Sequence, residues 1–135
     1  IEVCAPGGRT LLGMHGSPRS LGEPILATTP DDVLAAMLEG HRATIVAAGH
    51  THVPMLRRFR DMVILNPGSV GYPVERAAQS GDVRHPPWAE YAVVTLDVDA
   101  LKIDFRRVPI DVDTLVQAAR VSGMPHVDWW IAPWR

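Results

Sequence analysis

The sequence predicts an α/β (α+β) domain, and three features predict it. Two short apolar runs, Thr10–Met14 and Ala43–Ala48, flank a helical pattern that opens at Thr29-Pro30. Two further pairs of strand-like segments fold back across tight turns, and an amphipathic stretch, Asp111–Ser122, ends before Gly123. At 135 residues the chain is one domain or a piece of one. Apolar residues at 47% and charged residues at 21% argue for a globular chain rather than a disordered one.

Each element has a local reason. Thr10–Met14 ends at His15-Gly16-Ser17-Pro18, so a strand runs into a turn there, and residues 17–29 carry no period and read as loop. Thr29 is the expected N-cap, Pro30 the first helical residue, and Asp31 and Asp32 suit the first turn. Val33, Leu34, Met37 and Leu38 give the helix its apolar stripe, and Gly40 is the expected stop. Ala43–Ala48 is a buried strand ending at Gly49-His50-Thr51-His52. Strand, helix, strand makes a βαβ unit, so the two strands are expected to run parallel and end on one edge. Pro54–Arg60 and Met62–Leu65 form a hairpin, which returns Asn66-Pro67-Gly68-Ser69 beside His52. Residues 72–90 read as polar loop, followed by a second hairpin, Tyr91–Val98 with Leu101–Val108.

The charge balance points away from some functions. Thirteen basic and fifteen acidic side chains give a net charge of −2, too balanced to suggest a specific nucleic-acid surface or a polybasic membrane surface. The longest apolar runs reach six or seven residues, short of the ~18 that span a bilayer. Cys4 is the sole cysteine, so no internal disulfide framework exists, and a reducing, cytoplasmic compartment is expected. No charged-then-apolar leader opens the sequence, and its first residue is Ile1, which suggests a processed start or part of a longer protein.

The chemistry lies in three histidines at expected strand ends, two of them directly beside glycine. Ligands in open α/β sheets bind at the carboxyl edge of the strands, where His15 and His50 are expected side by side. Neutral imidazole is the commonest protein metal ligand. In extended backbone, His50 and His52 would leave one face with Cα atoms roughly 6.6 Å apart. That suits two ions about 3.5–4 Å apart better than one, an arrangement that serves phosphoester hydrolysis. A chance Gly-His-x-His in this composition has a probability of about 2%. A second His-Gly at a neighbouring strand end sharpens the signal.

HGSP at 15–18, GHTHVP at 49–54 and NPGSVG at 66–71 resemble the calcineurin-like metallophosphoesterase superfamily, in particular its small prokaryotic phosphodiesterase branch. FRRVPIDVD at 105–113 is similar to that branch's closing strand and linker, so the resemblance runs from about Thr10 to Gly123. It implies a β-sandwich core flanked by helices and a dinuclear metal centre; histidine-rich ligation admits Mn, Fe, Ni or Zn. It also implies that His15 and His50 bind the second metal, that His52 binds the first, and that Asn66–Ser69 shape the pocket wall. The superfamily's D-x-H, G-D-x-x-D and G-N-H-[DE] motifs are absent from this sequence, whose one asparagine is Asn66. Residues 1–135 are therefore expected to be the C-terminal half of a metallophosphoesterase domain, with the Asp and Asn ligands in an N-terminal half.

Other residues have plainer readings. Asn66, Ser69 and Arg19 are candidates for contact with a phosphoester substrate, although turn formation or solvation is the commoner role for each type. His41 suits a helix C-terminus, while His85 and His126 suit surface or packing positions. Arg57, Arg58 and Arg60 are expected to decorate an exposed hairpin. Trp129, Trp130 and Trp134 make the tail too apolar for water, so it is expected to cover a missing half or a second subunit. The intact protein is expected to be a metal-dependent hydrolase of phosphoesters, with phosphodiesters the expected class; the alternative is an inactive fragment or a scaffold module that keeps the fold.

Overall fold

The structure, a computed structural model, describes residues 1–76 and 81–134. Its centre is a five-stranded sheet built from β1 (Glu2–Cys4), β2 (Thr10–Met14), β3 (Ile45–Ala48), β4 (Met55–Phe59) and β5 (Met62–Asn66). The spatial order is β1-β2-β3-β5-β4. β2 pairs parallel with β3, from Leu11↔Ile45 to Met14↔Ala48, and β3 pairs parallel with β5. The expected βαβ unit is present, and β5 joins it as a third parallel strand. The carboxyl ends of β2, β3 and β5 therefore share one edge, from which residues 15, 49 and 67 lead away.

One face of this sheet is covered by α1 (Asp31–Met37) and Ile25. Leu34, Met37 and Leu38 meet Val46, Ala48, Phe59, Met62 and Ile64 in a single cluster. Val33, expected in the stripe, is exposed. The helix begins one residue later than expected, with Pro30 at the N-cap. Thr29 is not the cap: its hydroxyl accepts from the Leu26 amide at 2.9 Å and closes the preceding turn instead. The helix also ends earlier, at Met37, and Gly40 (φ 78°) serves the turn beyond.

Arg57 departs from its expected place on a solvated hairpin. Its side chain is only 17% exposed and donates to the carbonyls of Leu26, Ala27 and Thr29 while pairing with Asp31. It thereby fastens the loop before α1 to the outer strand β4.

The remaining elements are β6 (Glu75–Arg76), β7 (Val83–Arg84), β8 (Trp88–Leu96), β9 (Leu101–Pro109), α2 (Val112–Val121) and α3 (Val127–Ile131). β8 and β9 form a separate ribbon, the expected hairpin lengthened at its open end. The segment expected to be loop over 72–90 also holds the short pair β6–β7, while its residues 77–80 lie outside those described. Asp111 caps α2 by accepting from the Thr114 amide, and that bond holds its carboxyl below the usual range.

The tail differs from expectation. Trp134 is buried within the chain, its ring centroid 5.0 Å from that of His85. Trp130 packs against Val116, Ala119 and Ile131 beneath α2 and α3. Trp129 alone of the three remains open, at 73% exposure. Among the described residues, no helix is long and apolar enough to cross a membrane.

Candidate metal centre

His15 and His50 meet at the shared carboxyl edge. His15 Nε2 lies 3.1 Å from His50 Nδ1, across 35 residues of chain, with the rings perpendicular within 14° (interplanar angle 76°). The parallel register Met14↔Ala48 brings them there. The Gly49 amide fastens the approach by donating to the His15 carbonyl at 2.9 Å.

The extended geometry expected for His50 and His52 is not found. β3 ends at Ala48, and both histidines take left-handed backbone, with φ of 68° and 60°. Such backbone in a residue other than glycine costs on the order of 1–3 kcal/mol and clusters at functional loops. It turns His50 toward His15 and His52 away to the Tyr72 carbonyl, 2.8 Å from its Nδ1. A carbonyl only accepts, so Nδ1 carries the proton and Nε2 of neutral His52 keeps its lone pair.

Asn66 holds this loop in place. It is fully buried at the end of β5, and its amide donates to the Gly49 carbonyl (2.7 Å) and to the Thr51 hydroxyl (3.0 Å). Its own oxygen accepts from the Gly68 amide at 2.9 Å. Ser69 is turned inward likewise, its hydroxyl accepting from the Tyr72 amide at 3.0 Å. The structure thus brings Asn66 and Ser69 to the site as wall-builders, bonded to backbone.

Arg19 is engaged within its own loop. Its guanidinium pairs with Glu23, whose carboxylate also accepts from the buried Ser17 hydroxyl. These bonds, that from Arg19 first, lower the Glu23 carboxyl from its ordinary value and raise Arg19. Gly16 makes the tight loop possible, because a Cβ there would fall 2.5 Å from the Leu21 carbonyl.

Sequence reasoning missed Glu90. This buried carboxylate accepts from Trp88 Nε1 (3.1 Å) and Arg107 Nε (3.0 Å), with the Arg107 guanidinium 4.5 Å above the Trp88 ring. The Glu90 amide donates to Ser69, which ties the β8–β9 ribbon to the NPGS turn. One charged residue within the apolar run WAEYAVV was the available signal.

The residues fit a metal in part. Two nitrogens bound to one ion at about 2.0–2.1 Å stand roughly 3 Å apart, as those of His15 and His50 do. Yet no group of three His, Cys, Asp or Glu side chains suited to a metal occurs among the described residues. The chain supplies a histidine pair and a separate, tautomer-fixed His52.

A family model for the calcineurin-like phosphoesterase superfamily domain matches residues 2–98. The chain belongs to that superfamily. Among solved structures, this superfamily member resembles a hypothetical protein from Pyrococcus horikoshii, at 21% identity and a TM-score of 0.72, over 97% of this chain and 49% of that one. It also resembles a metallophosphoesterase from Sphaerobacter thermophilus, at 24% identity and a TM-score of 0.67, over 96% of this chain and 56% of that one. Likeness at this identity speaks for the fold, a mixed α/β sheet flanked by helices. The chain spans about half the length of both structures. Among curated proteins, none matches the sequence.

Proposed function

We propose that this chain contributes the histidine side of a dinuclear metal centre that hydrolyses a phosphoester, with phosphodiesters as the substrate class, in a protein longer than these 135 residues. The observation that carries the reading is the 3.1 Å approach of His15 Nε2 and His50 Nδ1 at the carboxyl edge of a parallel sheet. His15 and His50 would hold one divalent ion and His52, through Nε2, the other. Mn, Fe, Ni and Zn all accept imidazole. When bound, such ions supply a water-derived nucleophile and neutralise the phosphoryl oxygens. The chain's own part is placement: Gly49 and Asn66 fix the His50 loop, and Tyr72 fixes the His52 tautomer. The carboxylate and asparagine ligands would come from an N-terminal half or from a second copy of the chain.

Competing with it is a module that keeps the fold without catalysis, favoured by the lack of a third ligand beside the pair among the described residues. Native mass spectrometry with excess Mn²⁺ or Zn²⁺ separates the two. Metal-loaded species in the wild type, absent in His15→Ala and His50→Ala, together with hydrolysis of bis(p-nitrophenyl) phosphate, support the enzyme. Equal metal uptake by wild type and both variants removes the histidine pair from the reading. Uptake that depends on the pair but brings no hydrolysis in any longer form of the protein favours the module.

A further inference from the structure

Tyr72 and Pro73 are consecutive, and each offers its carbonyl to a histidine. The Tyr72 carbonyl accepts from His52 Nδ1 at 2.8 Å, and the Pro73 carbonyl accepts from His85 Nδ1 at 2.7 Å. The proline ring locks φ of residue 73, so few soft torsions separate the two carbonyls. Fixing one orients the other. Pro73 is itself fully buried, which removes alternative placements.

His85 is in turn held by the C-terminal tail. Its amide donates to the Pro133 carbonyl at 2.9 Å, and its ring lies 5.0 Å from Trp134 and 4.0 Å from Tyr72. The Tyr72 ring then stands 5.8 Å from the ring of His52, edge to face. Rings and carbonyls thus form an unbroken chain from Trp134 through His85 and Tyr72 to His52. Among the described residues, His85 Nε2 is buried without a hydrogen-bond partner. A purely apolar ring would avoid that defect and fill the same space, so packing alone does not account for an imidazole here. The feature that only the imidazole brings is the Nδ1–H bond to Pro73.

We infer that His85, backed by Trp134, is a positioning residue for His52, acting through the Tyr72 and Pro73 carbonyls to keep His52 as its Nδ1–H tautomer with Nε2 available. This rests on the reading of His52 as a metal ligand. Ring-nitrogen partners outside the coordination sphere fix tautomer and orientation, and their loss typically weakens metal binding 10–100-fold.

The test is the side-chain ¹⁵N spectrum of His52, recorded on the full 135-residue chain without metal and then during Zn²⁺ addition. The wild type is expected to show a single Nδ1–H tautomer. His85→Leu should turn it into a mixture and weaken zinc binding roughly tenfold. His85→Asn, whose amide can still donate to Pro73, should restore both. An unchanged His52 tautomer in a folded His85→Leu chain, or equal effects of Leu and Asn, overturns the inference. If His85→Leu does not fold, Trp134→Leu is read instead, and an unaltered His52 there overturns it equally. A tautomer that follows His85 while Zn²⁺ leaves the His52 Nε2 resonance untouched upholds the positioning and removes His52 from the ligand set.

Discussion

The two edges of the central sheet are built on opposite plans. At the carboxyl edge of β2, β3 and β5, polar side chains are turned inward and bonded to backbone: Asn66 to residues 49 and 68, Ser69 to residue 72, Ser17 to residues 19 and 20. At the amino edge, the turn after α1 and the β4–β5 turn surround a cavity of about 580 Å³ rimmed by the exposed Glu39, His41, Arg42 and Asp61. His15 and His50 lie at the edge whose loops are tied by these hydrogen bonds, and neither lines that cavity.

That contrast can be broken most forcefully at Asn66. Asn66→Leu would remove three hydrogen bonds and leave the half-buried Gly68 amide without its acceptor, while the Gly49 carbonyl keeps the Thr51 amide, at a cost of about 3 kcal/mol. Asp61→Ala at the other edge should stay within about 0.5 kcal/mol. Urea denaturation compares them, and equal midpoints would erase the distinction between the edges.

Glycines sharpen the comparison at a smaller scale. Gly68 (φ 86°) and Gly40 (φ 78°) share left-handed backbone, but a Cβ at residue 68 would meet Glu90 at 2.5–2.6 Å while one at residue 40 meets nothing. Alanine at 40 should cost about 1 kcal/mol from backbone strain. Alanine at 68 adds the clash and should cost roughly 2–4 kcal/mol. Thermal unfolding of both variants gives the difference, and similar values would show that the Glu90 contact yields easily.

The smallest effect is electrostatic. Glu23 has a folded-state carboxyl below its ordinary value of 4.5, chiefly because Arg19 hydrogen-bonds it. A lowered carboxyl stabilises the fold above the ordinary value, and that stability fades as pH falls through the folded value. A shallow loss is therefore expected below pH 4.5, and Glu23→Gln should flatten it in denaturation curves taken at pH 3–6. An identical slope in the variant would assign the loss to other carboxylates.

Much of the sheet was legible because its strands carry apolar runs bounded by glycine, and the parallel β2–β3 pairing followed from the helix between them. The His15–His50 approach was legible for the same reason: both residues leave parallel strands at one edge. The backbone of His50 and His52 was not, since left-handed φ leaves no trace in residue type when the residue is histidine. Nor was the inward turn of Asn66, Arg57 and Glu90, because their bonds reach backbone or side chains 15 to 31 residues away. The site of Trp134 was hidden likewise, as its partner His85 lies in a stretch without periodicity.

The 35-residue separation of His15 and His50 also bears on when the pair can exist. Closing a flexible loop of that length costs about 3 kcal/mol in chain entropy. Pairing of β2 with β3 meets that cost as the sheet forms. On the proposed reading, metal affinity would inherit the cooperativity of the sheet, and fraying at Ile45 or Val46, several residues from either imidazole, would lengthen the search that the ion must otherwise drive. The pair is a long-range contact, formed at the pace of parallel strand pairing rather than of local turns.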